Sequence, residues 1–289
     1  LALTGTTIDK NDYDGIIVRS ATKITPAVLE KANKLKVVGR AGVGVDNIDI
    51  DACTKKGVVV VNAPGGNTVA ATEHTIAMML ALARNIPQAV GKLKSGVWDK
   101  KSFLGVELRG KTLGIIGLGR IGSSVASRAQ ALKMKILAYD PYLTAERATS
   151  LGVSLVSLEE LFRKSDYITV HMPRTKETYH LINEETINIM KDGVRIINCA
   201  RGGIIDEEAL LRAVESGKIS GVALDVFEHE PNTESPLLKF DNVIATPHLG
   251  ASTEEAQLNV AVDVAEEIVA VLNGDVVKNA INMPSVNPE

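Results

Sequence analysis

The stretch Leu113-Gly-Ile-Ile-Gly-Leu-Gly-Arg-Ile-Gly122 constrains this chain more than any other. A β-branched apolar run leads into Gly117, Gly119 and Gly122 at G-x-G-x-x-G spacing, and a helical pattern follows over Ser123–Leu132. Each glycine has its own physical reason. Gly117 permits the tight turn, Gly119 lets backbone approach a pyrophosphate, and Gly122 allows the helix to pack closely on the strand. The N-terminus of that helix then presents N–H groups and a positive dipole end to phosphate. The next strand, Lys135–Tyr139, ends at Asp140, close to the spacing of roughly 20 residues at which an acid accepts hydrogen bonds from ribose. Its charge would repel a 2′-phosphate, which favours NAD over NADP. The plainer reading of such a turn, packing alone, leaves strand, helix and acid together unexplained.

The rest of the chain repeats the same alternation. Strands are expected at Gly15–Val18, Lys36–Gly39, Val58–Val61, Tyr167–His171, Arg195–Asn198, Gly221–Asp225 and Val243–Ala245. Helical patterns lie between them, at Leu158–Phe162, Asn183–Met190 and Asp206–Ser216, with a last one over about Thr253–Leu272. Strands alternating with helices predict an α/β fold with parallel sheets. Thr25 and Pro26 mark a helix start, as cap and first helical residue. Asn67–Val90 reads as one long helix, apolar almost all round and so buried on several sides or at a subunit contact. The part up to Pro64 has its own βαβ pattern but too few elements for a doubly wound domain, and the last helix could return to it.

Bulk properties narrow the function classes. The chain has 289 residues, enough for two domains, and 45% are apolar. A net charge of −3 suggests neither nucleic acid nor an anionic membrane as partner. The longest apolar stretch, Thr75–Ala83, is too short to span a bilayer. Cys53 and Cys199 match no metal spacing, so no metal site is expected and a reducing, cytoplasmic setting is. No signal-peptide pattern precedes the first strand.

Three segments end strands where an α/β active site belongs, at the carboxyl edge of a sheet: Ile197–Gly203, Leu224–Pro231 and Ile244–Gly250. Hydride transfer to a 2-keto acid needs a cation for the carboxylate and carbonyl, which Arg201 can supply. It needs an acid of near-neutral pKa, which suits His248, and a carboxylate to orient that imidazole, which suits Glu230. Among the five histidines, His171 also ends a strand and is the nearest rival, read as lining the cofactor pocket. His74 reads as a core or interface residue, His180 as structural and His229 as a surface residue.

These segments, with Val18–Thr25, Gly39–Asp49, Asn62–Asn67, Asn198–Asp206 and Pro247–Thr253, span nearly the whole chain. Together they resemble the D-isomer-specific 2-hydroxyacid dehydrogenases. The resemblance implies Arg201, Glu230 and His248 as the catalytic trio. It implies NAD contacts from Gly117, Gly119, Arg120, Ile121, Gly122, Asp140, Met172, Cys199, Ala200 and Asp225, and from His248 through Gly250 to Ala251. Arg19, Ser20, Arg40, Val43, Gly44 and Asn67 would face the substrate, with positive charge for carboxylate or phosphate, and Lys100 would reach it from a partner subunit. The implied architecture is a Rossmann-type NAD domain over 65–250 and a smaller, discontinuous, flavodoxin-like substrate domain over 1–64 and 251–289. A homodimer through the helix 67–90 is implied, with pairing of dimers into a homotetramer as an extension. The family's first strand and helix should precede Tyr13, where the sequence has little room, so a shortened substrate domain is expected. No regulatory domain is expected after Pro284. An NAD-sensing protein that binds partners, like the family's corepressors, is the alternative from another class.

Overall fold

The computed structural model describes residues 13–283. From the N-terminus run β1 (Gly15–Val18), α1 (Pro26–Lys31), β2 (Val37–Arg40), α2 (Ile50–Lys55) and β3 (Val59–Asn62). Then come α3 (Thr68–Ala83), α4 (Ile86–Lys94), β4 (Thr112–Ile116), α5 (Arg120–Ala131), β5 (Lys135–Tyr139), α6 (Ala145–Ser150) and β6 (Ser154–Leu155). The chain continues through α7 (Leu158–Lys164), β7 (Tyr167–Val170), α8 (Glu184–Ile189), β8 (Val194–Asn198), α9 (Glu207–Glu215), β9 (Ile219–Leu224), β10 (Val243–Ala245) and α10 (Glu254–Asn273). It divides into two compact units, a smaller one of residues Leu1–Thr68 with Ala251–Glu289 and a larger one of Val69–Gly250. The expected loss of a first strand and helix falls on residues 1–12, and the expectation that no regulatory domain comes after Pro284 falls on the C-terminal residues. Both lie outside the described residues.

In the larger unit seven parallel strands line up as β10-β9-β8-β7-β4-β5-β6. The chain order reverses between β4 and β7, which makes the sheet doubly wound. Successive residues on a strand point to opposite faces, and both faces are buried. Ile168, Val170, Ile196, Val222 and Leu224 join one core, while Leu113, Ile115, Tyr167, Ile197 and Ala223 join the other. All of β7 is buried, as expected for strands covered on both sides. Helix α5 turns Val125, Ala126 and Ala129 inward at helical spacing.

The smaller unit is a parallel sheet of order β1-β2-β3. Ile16, Val18, Val38 and Val60 face the core beneath α1 and α2, which add Leu29 and Cys53. Val37, Val61 and Ala63 face the other way and are covered by Val260, Val264 and Ile268 of α10. Thr253 caps α10 by accepting from the Ala256 N–H, and Gly274 ends it at φ 79°.

The single helix expected over 67–90 is two helices. Asn85 takes the left-handed conformation, φ 51°, and Pro87 follows it. Proline lacks an N–H and its ring would collide with the carbonyl four residues back, that of Ala83. That carbonyl instead accepts from the Val106 N–H at 2.9 Å, so the break leaves no polar group stranded there. No helix among the described residues is long and apolar enough to cross a membrane.

Candidate active site

The sheet reversal opens a crevice beside the carboxyl ends of β4 and β7, where ligands of doubly wound folds bind. The glycine turn lies there. Gly117 has φ +92°, and a Cβ on it would lie 2.6 Å from Met172 Cγ and 2.7 Å from the His171 carbonyl. A Cβ on Gly122 would lie 2.0 Å from the Gly117 carbonyl, so helix and turn pack at glycine distance. A Cβ on Gly119 would meet nothing within 4 Å, which leaves open room beside the turn, and Arg120 and Ile121 form the first turn of α5. Asp140 Oδ2 accepts from the Leu118 N–H at 2.7 Å and Oδ1 from the Tyr142 N–H at 2.9 Å. It therefore braces the glycine turn, with carboxylate lone pairs to spare for ribose. Turn, helix end and acid suit NAD. His171, with Nε2 3.0 Å from Thr169 Oγ1, loses solvation and its pKa is pushed down to about 4. It is a neutral group at neutral pH, unsuited to donate a proton as imidazolium.

Asn198, the buried last residue of β8, shapes the next segment. Its Oδ1 accepts from the Ala200 N–H at 3.0 Å and its Nδ2 donates to the Arg201 carbonyl at 2.9 Å. The Arg201 guanidinium donates to the Ala200 carbonyl at 2.7 Å. Burial, then the nearby Asp225 charge, pushes the Cys199 thiol up to about 12. It stays protonated and is no nucleophile.

The loop after β9 carries Glu230 and is pinned at Glu228, through backbone and side chain. The Glu228 N–H donates to Glu207 Oε1 at 2.6 Å. The Glu228 carboxylate accepts from the Tyr179 hydroxyl at 2.6 Å and lies 3.1 Å from His180 Nε2. Gly202 makes this possible, because a Cβ there would lie 1.7 Å from the Phe227 carbonyl. Glu230 Oε1 accepts from the Phe227 N–H at 3.0 Å, and Oε2 lies 2.7 Å from His248 Nδ1. The Glu230–Pro231 peptide is cis.

His248 follows β10 with φ +56°. A non-glycine residue there costs about 1–2 kcal/mol. Asp225, only 1% exposed, holds the turn. Its carbonyl accepts from the His248 N–H at 2.9 Å, and its carboxylate accepts from the N–H groups of Leu249 at 2.6 Å and Gly250 at 2.8 Å. Hydrogen bonds to a charged acceptor contribute about 1.5–3 kcal/mol each, so they outweigh the strain. Thr246 Oγ1 at 2.6 Å and His74 Nε2 at 3.2 Å complete the shell. Asp225, expected at the cofactor, also braces the backbone of the His248 turn with its carboxylate. Burial works to raise its pKa, but the His74, Thr246 and backbone bonds prevail and hold it below the ordinary carboxylate range.

The pair at the centre is polarised. The hydrogen bond that His248 donates to Glu230 raises the His248 pKa above the ordinary 6.5, against partial burial, and Arg201 nearby lowers it somewhat. Burial works against Glu230, yet its bonds to His248 and the Phe227 N–H keep it a carboxylate. The structure thus brings Arg201, Glu230 and His248 together with Met172, Cys199, Asp225 and Gly250 around the carboxyl edge of one sheet.

In the smaller unit, Arg19 and Ser20 follow β1, Arg40 ends β2, Val43 and Gly44 lie in the next loop, and Asn67 comes after β3. All therefore stand at the carboxyl edge of that sheet. Asn47 Nδ2 donates to the carbonyls of Arg19 and Thr22, and Asn62 Nδ2 to that of Val43. Gly42, at φ +145°, makes room for the Arg40 guanidinium, which would lie 1.7 Å from a Cβ. Ala251 begins the second segment of this unit, and Lys100 is exposed after α4. The bracing side chains Asn47, Asn62, Asn198, Thr246 and His74 were missed by motif reading. The asparagines sit next to turns, a signal that could have found them; His74 offered none.

Residues 76–250 match the model of the D-isomer specific 2-hydroxyacid dehydrogenase NAD binding domain. The chain belongs to that family, and its larger unit carries the family's NAD binding domain. It is similar to curated relatives named D-3-phosphoglycerate dehydrogenase. That of Archaeoglobus fulgidus is 57% identical over 96% of this chain and 53% of its own length, and that of Bacillus subtilis is 56% identical over the same shares. The chain thus spans about half the length of these relatives. Among solved structures, D-lactate dehydrogenase from Aquifex aeolicus, complexed with NAD and lactic acid, superposes with a TM-score of 0.85 at 37% identity, covering 95% of this chain and 88% of that one.

Proposed function

We propose that this chain oxidises the 2-hydroxyl of 3-phospho-D-glycerate to 3-phosphohydroxypyruvate with NAD, the first step of phosphorylated L-serine synthesis. The observation that carries the reading is the 2.7 Å pair of His248 Nδ1 and Glu230 Oε2 at the sheet edge, and the similarity to D-3-phosphoglycerate dehydrogenases supports the substrate. His248 Nε2 takes the hydroxyl proton, and Glu230 stabilises the imidazolium that results. Arg201 binds the carboxylate and the oxygen that becomes a carbonyl. The bound nicotinamide supplies the hydride acceptor. In the reverse direction His248 returns the proton. Arg19 and Arg40 supply positive charge for carboxylate and phosphate, with Ser20, Val43, Gly44 and Asn67 beside them.

The chain works as a cytoplasmic homodimer. Ile86, Val90 and Leu93 of α4, with Val97, Trp98 and Leu104 after it, are all exposed apolar side chains, the sort of patch that marks an interface. Lys100 on that segment would serve the neighbouring subunit's substrate.

NADH formation from 3-phosphoglycerate, run beside glycerate and D-lactate with NADP as control, tests the assignment. Turnover of 3-phosphoglycerate in preference to the others is expected. D-lactate is the specific rival, because the Aquifex structure holds lactic acid; preference for D-lactate would replace the proposal with that reading.

A further inference from the structure

We infer that His74 of α3 is a positioning residue, which holds the Asp225 carboxylate so that this carboxylate can fix the turn bearing His248. The inference rests on the reading of His248 as the proton-transfer group. His74 lies 151 positions from Asp225 in the chain, yet its Nε2 is 3.2 Å from Asp225 Oδ1 and 3.1 Å from Thr246 Oγ1. Those two oxygens are bonded to each other at 2.6 Å, with the threonine donating.

The proton inventory of this triangle settles the imidazole's role. An ionised carboxylate only accepts, and Thr246 has spent its one hydroxyl proton on Asp225. Nε2 therefore carries the hydrogen and is shared between the two oxygens. The neutral Nε2–H tautomer and the imidazolium both provide that donor. Nothing in the proton-transfer pathway touches His74. Its influence runs through Asp225, whose oxygens also accept from the Leu249 and Gly250 N–H groups and whose carbonyl accepts from His248 N–H. The charged groups facing His248 are Glu230, Asp225 and Arg201. A carboxylate free to turn would lose one or both backbone bonds. The left-handed His248 would then relax, and the imidazole would draw away from Glu230.

The test uses this chain with isotope-labelled histidine and without cofactor. With five histidines and His248→Ala for assignment, NMR follows the His248 titration directly. In His74→Leu the His248 pKa should fall towards 6.5 and kcat should drop about tenfold, with KM for the acid and NADH affinity unchanged. His74→Gln, whose amide N–H reaches the same place, should restore both. His74→Asn, polar but too short, should behave as the leucine variant does and replaces it if that one does not fold. An unchanged His248 titration and kcat in His74→Leu or His74→Asn would overturn the inference. So would a glutamine variant that folds yet matches the leucine one, since packing alone would then explain the loss. If His248→Ala keeps its turnover, the catalytic reading fails by itself, and the titration still decides whether His74 positions the turn.

Discussion

At the scale of single residues the candidate site depends on one imidazole and one carboxylate. His248→Ala should lower turnover by about 10²–10⁴-fold, the usual share of general acid–base catalysis, while fluorescence titration finds NADH affinity nearly intact, because the glycine turn is untouched. Turnover within a fewfold of wild type would sink the mechanism. The pH dependence has a definite sign. Oxidation needs neutral His248, so kcat/KM should rise with pH through a pKa above the ordinary 6.5, and reduction should fall through the same point. Glu230→Gln removes the group that raises this pKa, so the oxidation limb should move to lower pH. A limb that stays in place would deny Glu230 its role. Much of this pairing was legible. Arg201, Glu230 and His248 each follow a β-rich run, and the carboxyl ends of such runs gather at one edge. The groups that hold them were not. Asp225 sits close to Glu230 in sequence and is drawn as a ligand contact by resemblance; that its carboxylate also accepts from the Leu249 and Gly250 N–H groups was not legible. Such a bond exists only once β9 and β10 lie side by side.

Elements were legible where periodicity was long and lost where a single backbone angle decides. Helix α5 and strands β4, β5 and β7 follow directly from apolar runs and glycines. The short α2 and α6 carry little pattern of their own; an Asp49 cap and a Thr144 cap define their starts. The break at Asn85 was passed over because Ala, Leu and Met before it favour helix, although Pro87 marks it in the sequence. The close approach of the segment after β8 to the loop after β9 was hidden, and Gly202 is its only trace in sequence. Gly202→Ala places a methyl 1.7 Å from the Phe227 carbonyl, against backbone that cannot swing aside. Calorimetry should show a loss of about 1–3 kcal/mol together with a fall in kcat, because Arg201 and Glu230 are pushed apart. A variant with wild-type Tm and kcat would show that the two segments separate freely.

For the whole molecule, the exposed Ile86, Val90, Leu93 and Trp98 carry the expected association. Val90→Asp with Leu93→Asp should turn a dimer into a monomer by light scattering at micromolar concentration, since burying an unpaired charge in an apolar contact is costly. A double variant that remains dimeric would place the interface elsewhere. The smaller unit has a different consequence, one of timing. Among the described residues its strands are all made by β3, but the face formed by Val37, Val61 and Ala63 is covered by Val260, Val264 and Ile268 of α10, which follow the larger unit in sequence. During synthesis, which proceeds at about 5–20 residues per second, that face waits through the whole of the larger unit for its lid. The larger unit is contiguous and can close first. Of the two units, the half-covered sheet is therefore the later to become native, and its exposed face calls for protection between the emergence of β3 and that of α10.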